Sequence, residues 1–170
     1  TNGAAIIKKT KTLNASERIN FDYNKLPISC CYFFEDGTKV SLPSGSDAVA
    51  EVLSNELGEN RSKVLKFLER LEKNYNAVYP VFIKVSLHRV GHWLNSNIFK
   101  ALKRLPFYGL FSTMNGVNTS TFNNKKTVQI FNRFATYNGS DPYKSPGMFN
   151  IIAHLELNVG PFMPKGGMVA

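Results

Sequence analysis

An α+β chain is expected, with a small antiparallel sheet at the front and a mostly helical body behind it. Three observations carry that expectation. Residues 28–34 and 38–42 are apolar-rich runs joined through Glu35-Asp36-Gly37, and Asp-Gly supplies the positive φ angles that a tight hairpin needs. Val64, Leu65, Leu68, Leu71 and Tyr75 recur at helical spacing, and further helix-like stretches follow. At 170 residues, 43% of them hydrophobic, the chain has the size of one domain and can bury a core.

Residues 1–16 show no clear period and are expected to fray or to form an edge strand. Residues 19–23 alternate apolar and polar, as a half-buried strand does. After the hairpin, 43–47 ends the sheet, and Ser44 with Asp47 three residues on can cap a helix. That helix should run over 47–57 with Val49, Val52, Leu53 and Leu57 on one face, and Gly58 should stop it. A longer helix is expected over 60–78, with Glu69 and Glu72 on its polar side beside Lys66 and Lys73. Pro80 ends or kinks it. Residues 81–93 suit either a short helix or an extended stretch.

Asn95 or Ser96 can cap a helix reaching Leu105, ended by Pro106. Residues 112–120 read as a polar loop, with at most a helical turn near Phe122. A helix is expected over 126–137, closed by Asn138-Gly139, and a last one from Ser145 or Pro146 to Asn158, ended by Gly160. So few strands stand poorly alone, which suggests a sheet completed by sequence outside the chain. Thr1 is not an initiator Met, and Pro164-Lys-Gly-Gly-Met168 reads as the approach to a further element. A piece of a larger protein is therefore expected.

The net charge of +9 is unevenly placed. Residues 73–140 hold no Asp or Glu but nine basic side chains, Lys73, Lys84, Arg89, Lys100, Lys103, Arg104, Lys125, Lys126 and Arg133. Trp93, Phe99, Phe107, Tyr108 and Phe111 lie among them. A basic, aromatic stretch suits an anionic membrane surface, with Trp93, Phe99, Lys100, Lys103, Arg104 and Phe107 facing it. It also suits a solvated cationic face, or nucleic acid, although no nucleic-acid recognition motif accompanies it. No run approaches the ~18 apolar residues of a spanning helix. Cys30 and Cys31 are adjacent and point to opposite faces of a strand, so they form no disulfide framework and suit a reducing, cytoplasmic setting.

Several chemistries lack their signatures. No Gly-x-Gly-x-x-Gly follows a strand, and no phosphate-binding Gly-x-x-x-x-Gly-Lys loop occurs. His88 and His92 would share a helix face, but no third ligand stands nearby, so no metal is expected. Cys30 and Cys31 lack a neighbouring His or helix N-terminus, and buried strand cysteines are expected. Between residues 131 and 162, by contrast, Phe131, Phe134, Tyr137, Tyr143, Met148, Phe149, Ile152 and Phe162 gather with few ionisable groups. Such a set either lines an apolar pocket or forms ordinary core.

Three stretches resemble the substrate-side segment of the phytoene desaturase (phytoene dehydrogenase) family of FAD-dependent oxidoreductases. They are Phe131-Asn-Arg-Phe-Ala-Thr-Tyr-Asn-Gly-Ser-Asp-Pro-Tyr143, Gly147-Met-Phe-Asn-Ile-Ile-Ala-His-Leu-Glu156 and Gly160-Pro-Phe-Met-Pro-Lys-Gly-Gly-Met168. A weaker likeness runs through Tyr32-Phe-Phe-Glu-Asp-Gly-Thr38 and Lys63-Val-Leu-Lys-Phe-Leu-Glu69.

The resemblance implies the substrate-binding domain, residues 1–170, of a flavoenzyme that removes two hydrogens from a long polyene, with the nucleotide-binding domain outside the chain. It implies FAD as cofactor, held mainly elsewhere. Such a domain is of the kind inserted in a Rossmann-type flavoenzyme. A polyene isomerase or an amine or porphyrinogen oxidase fits the same relationship. A non-enzymatic basic module is the reading from another class.

The resemblance further implies that Phe131, Phe134, Tyr137, Asn138, Tyr143, Phe149, Ile152, His154 and Phe162 meet the substrate. Pro164, Gly166 and Gly167 would form a Pro-x-Gly-Gly turn at the cofactor. For His154 a hydrogen-bonded packing role stands beside substrate contact, and for the two glycines a turn needing positive φ stands beside cofactor contact. Peripheral association with a membrane, from which an apolar polyene would enter, completes the expectation.

Overall fold

The computed structural model describes residues 22–79, 109 and 111–166. Its elements are β1 (Tyr23–Lys25), β2 (Ile28–Phe33), β3 (Lys39–Pro43), α1 (Ser46–Leu57), α2 (Arg61–Val78), α3 (Met114–Thr121), α4 (Lys125–Asn132), α5 (Ile151–Ala153) and β4 (Phe162–Pro164). A 3-10 segment, Arg133–Asn138, continues α4. A second, Gly147–Asn150, leads into α5, which widens into a π-helix over His154–Val159. The layout is α+β.

The front hairpin forms as the turn chemistry requires. β2 and β3 pair antiparallel, Tyr32 opposite Val40 and Phe33 opposite Lys39, and Gly37 takes φ 84°. On β3, Val40 and Leu42 point inward and are buried while Lys39 and Ser41 face solvent, the alternation of a one-faced sheet. α1 packs Val49, Ala50, Leu53 and Leu57 against them. Gly58 ends α1 in the left-handed region at φ 68°. Asn60 caps α2, its side chain accepting from the Lys63 amide at 3.1 Å.

The core closes on a ring cluster. Phe67 of α2 meets Phe122 and Phe131 edge-on, with centroids 4.9 and 5.1 Å apart, and Phe122 stacks on Phe131 at 4.6 Å. Such pairs contribute about 0.5–1.5 kcal/mol each beyond the area they bury. Buried Glu59 joins the front to this centre. Its carboxylate accepts the Asn124 amide at 2.7 Å just before α4, where the helix N-terminus favours negative charge.

Several expectations are corrected. The strand expected over 19–23 is described from Tyr23 onward, and it does not extend the hairpin. It pairs with β4, Tyr23 opposite Pro164, giving two separate two-stranded sheets. Ser44 does not cap α1: its hydroxyl donates to the Leu26 carbonyl at 2.8 Å, Gly45 occupies the cap, and Asp47 pairs with Arg61.

The polar loop expected over 112–120 is helix α3. Thr113 caps it through the Gly116 amide, and buried Asn118 donates to Asn132 at 2.9 Å. Tertiary hydrogen bonding thus overrides poor intrinsic propensity. The helices expected over 126–137 and 145–158 are compound, with 3-10 turns at Arg133–Asn138 and Gly147–Asn150 and π-turns at the end. Cys31 is exposed and Cys30 half-buried, so neither is the buried strand cysteine expected. The expectations for 1–21, 80–108 and 167–170 lie outside the described residues.

Candidate functional site

The hairpin and α4 enclose a groove of about 560 Å³ lined by Tyr32, Phe33, Phe34, Glu35, Asp36, Lys126, Gln129, Ile130 and Arg133. Strand alternation puts Tyr32 and Phe34 on one face, half-buried against the core, while Phe33 projects outward and is 72% exposed. Helical spacing brings Lys126, Gln129, Ile130 and Arg133 to the opposite wall. The volume lies in the range of small-molecule sites, about 300–1,000 Å³.

Its two cations are both held. Lys126 Nζ donates to Asp36 and, at 2.6 Å, to the Thr38 hydroxyl, and it stands over the Phe34 ring. This hydrogen bond from Lys126 lowers the Asp36 carboxyl to about 2. Arg133 Nε donates to the Tyr32 hydroxyl at 2.8 Å, and Nη2 donates to Glu156. The Arg133 guanidinium also lies 4.8 to 5.7 Å from the ring centres of Phe134, Tyr32 and Tyr137.

Tyr137 donates its hydroxyl to the other oxygen of Glu156. Burial pushes the Tyr32 hydroxyl upward, and Arg133 only partly opposes this. The Glu156 hydrogen bond, and then burial, push Tyr137 up. Burial works against the Arg133 charge, but Tyr32 and Glu156 more than offset it. Both phenols therefore keep their protons at neutral pH, the Tyr32 hydroxyl accepting from Arg133 and the Tyr137 hydroxyl donating to Glu156. The network fixes the direction of the groove's inner wall.

The residues singled out from sequence fall in different places. Phe131 and Phe134 are fully buried core, 6.2 Å apart, and Phe134 stacks on Tyr137 at 6.2 Å. Phe149 and Ile152 are half-buried against the same core. His154 is buried beside Tyr75, its Nδ1 accepting from Asn158 Nδ2 at 2.9 Å, and burial lowers its pKa. Asn138 and Tyr143 are exposed. Phe162 packs edge-on against Tyr23. Thus Phe131, Phe134 and Tyr137 come together, and Phe162 stands in a different contact.

Pro164 pairs with Tyr23, and Gly166 follows in an exposed turn at φ 91°, in the left-handed region that glycine adopts without strain. Gly167, Trp93, Phe99, Lys100, Lys103, Arg104 and Phe107 lie outside the described residues. Among the described residues, no three His, Cys, Asp or Glu side chains gather as metal ligands, and no helix is long and apolar enough to cross a membrane.

Sequence reading missed the groove: none of its lining residues, nor Glu156 behind it, was singled out for substrate or cofactor contact. The one available signal was Glu156 itself, a lone carboxylate on an apolar helix.

No family model matches the chain. It is 34% identical over 163 residues to the 1-hydroxycarotenoid 3,4-desaturase of Flavobacterium sp. (strain P99-3), covering 96% of the chain and 33% of that relative. It is 21% identical over 150 residues to the carotenoid 3,4-desaturase of Haloarcula japonica, covering 88% of the chain and 30% of that relative. It is 25% identical over 135 residues to the phytoene desaturase of Phycomyces blakesleeanus, covering 79% and 23%. The chain spans about a third or less of the length of the curated relatives it matches.

Proposed function

The chain belongs to the phytoene desaturase family, along one stretch of that family's length, and from this premise we propose that it is the substrate-binding part of an FAD-dependent enzyme that desaturates a long polyene. The observation that carries the reading is the likeness to a carotenoid desaturase over 163 residues, nearly the whole chain.

Bound FAD would accept the hydride lost from the polyene, so the hard step belongs to the cofactor. The chain's own residues bind, orient and exclude water. The groove between the hairpin and α4 is the section of the path that the geometry supports best. Tyr32 and Phe34 offer an apolar wall to a flat conjugated chain, at roughly 1.5–3 kcal/mol for each side chain fully buried.

Phe131 and Phe134 act from behind, as the packed support that holds Tyr137 and Arg133 in place. Phe149 and Ile152 extend the same support, and Asn138, Tyr143 and Phe162 would meet substrate only beyond the groove. His154, buried and hydrogen-bonded, serves packing. Pro164, Gly166 and Gly167 would lie along the cofactor. The basic, aromatic stretch holding Trp93, Phe99, Lys100, Lys103, Arg104 and Phe107 would rest on a membrane surface and admit the polyene.

The test is a visible spectrum of the full-length protein followed by product analysis with a panel of carotenoid precursors. Stoichiometric flavin and products with added conjugated double bonds are expected. A colourless, folded protein would refute the flavoenzyme reading. Retention in the supernatant with anionic vesicles at low salt would refute the membrane contact.

A further inference from the structure

An asparagine followed by glycine carries a latent reaction of its own. The backbone nitrogen of the glycine attacks the asparagine Cγ, because no Cβ shields it. The Cγ–Nδ2 bond breaks, Nδ2 takes the proton lost by the backbone nitrogen, and ammonia leaves a cyclic imide. Water then opens the ring at either carbonyl. The product is aspartate, or isoaspartate when the main chain is left running through the side-chain carbon. Water enters and ammonia departs, with no oxidant or cofactor.

The pair occurs at Asn2-Gly3, Asn115-Gly116 and Asn138-Gly139, and the first lies outside the described residues. The attack needs a side chain that is not tied down and a backbone that can leave its helical turn. At Asn115 both are denied. Its Oδ1 accepts from Asn132 Nδ2 at 2.8 Å, and its amide donates to the Pro142 carbonyl at 2.9 Å. The attacking nitrogen, that of Gly116, is itself held by the Thr113 hydroxyl at 3.0 Å as the cap of α3.

At Asn138 both are met. Asn138 is exposed, ends the 3-10 segment, and its side chain makes no hydrogen bond among the described residues. Gly139 follows in the left-handed region at φ 60°, and a Cβ there would meet nothing within 4 Å, so the approach is open. The turn is pinned by the Gly139 amide on the Thr136 carbonyl at 3.0 Å and the Ser140 amide on the Ala135 carbonyl at 3.1 Å. Terminal bonds of a 3-10 turn are poor in geometry and open early. Asp36-Gly37 reaches the same ring from the neutral acid, but the Lys126 hydrogen bond that lowers its carboxyl to about 2 keeps it charged.

We propose that Asn138 is a site of spontaneous deamidation in the folded protein, and that Asn115 is protected from it. The product places a carboxylate, and in isoaspartate an added main-chain carbon, directly after Tyr137, whose hydroxyl donates to Glu156. The edge of the Arg133–Glu156–Tyr137 network thus carries a mark that accumulates with age. The proposal does not rest on the polyene reading, and either can fail alone.

The test incubates the chain, folded and in denaturant, in mildly alkaline buffer made with heavy-oxygen water, then digests it and maps the peptides by mass spectrometry. Heavy oxygen separates conversion during incubation from conversion during digestion. Cleavage after Arg133 and Lys144 gives a peptide in which Asn138 is the single side-chain amide. In the folded chain Asn138 should convert to aspartate and isoaspartate at least about tenfold faster than Asn115, as a fraying end against a tied helix start implies. In denaturant the two should convert at comparable rates. An Asn138 that stays intact in the folded chain while the denatured chain converts overturns the proposal, as does equal conversion at Asn115. A difference that persists unchanged in denaturant overturns it too, because sequence rather than fold would then set the rates.

Discussion

Replacing Glu156 tests whether the network behind the groove is structural. Its side chain is 10% exposed and receives Arg133 on one oxygen and Tyr137 on the other; the Arg133 side chain is 29% exposed. Glu156→Leu leaves a largely enclosed guanidinium without its counter-charge. Removing one partner of a buried pair costs about 3–5 kcal/mol, and the residual water contact of Arg133 places the loss at the lower end, about 3 kcal/mol.

Glu156→Gln keeps an acceptor for Arg133 and exchanges a charge-assisted hydrogen bond for a neutral one, so about 1–1.5 kcal/mol is expected. With a urea dependence of about 2 kcal/mol per molar, the leucine variant should unfold at about 1.5 M less urea, at an unchanged slope. Arg133→Met on that background removes the stranded charge. The double variant should then recover part of the loss, with a coupling of at least about 1.5 kcal/mol. A loss below about 0.5 kcal/mol for Glu156→Leu, or simple additivity in the double variant, would refute the reasoning.

Other outcomes are equally definite. Phe131→Ala empties the centre of the ring cluster and should cost about 3–5 kcal/mol in the same unfolding assay. Thr113→Ala removes the cap of α3 and should cost about 1 kcal/mol, with the earliest amide-exchange gains in that helix. Lys126→Met should return the Asp36 carboxyl from about 2 toward 3.8, read by NMR titration of its side chain.

His154 has a folded-state pKa depressed below 6.5 by burial, so the unfolded state binds the proton first. Its contribution to stability is therefore complete above 6.5 and is lost as pH falls toward the folded value. His154→Gln should flatten that part of the stability profile, and an unchanged profile would remove His154 as its source.

What could be read from sequence followed strong local signals. The hairpin was legible because Asp36-Gly37 fixes its turn, and α1 and α2 because apolar spacing ends on Gly58 and restarts at Asn60. α3 was hidden: Asn115, Gly116, Asn118, Thr119 and Ser120 look like a loop, and Asn132 from the next helix helps make them helical, accepting from Asn118 and donating to Asn115, beside the Thr113 cap. β1 was misjoined because its partner lies far along the chain, and no local pattern reports a long-range pairing.

The aromatic run 131–137 was visible, but sequence could not separate the core rings Phe131 and Phe134 from Tyr137 at the surface. Burial depends on what packs from outside the run, here Phe67 and Phe122. The groove was missed because half of it belongs to the hairpin.

The pairing of β1 with β4 also bears on how the molecule folds and opens. Tyr23 and Pro164 are joined across nearly all of the described chain, by short strands, the flanking bonds from Leu26 to Pro161 and from Lys165 to Asp22, and the edge-on contact of Tyr23 with Phe162. Closing so long a loop for so little contact makes this the late step of folding and the early step of opening. The turn at Gly166 hangs on that clasp. Helices and ring cluster can thus stay assembled while Pro164–Gly166 swings free, so whatever rests against that turn sees a fastening that closes last and releases first.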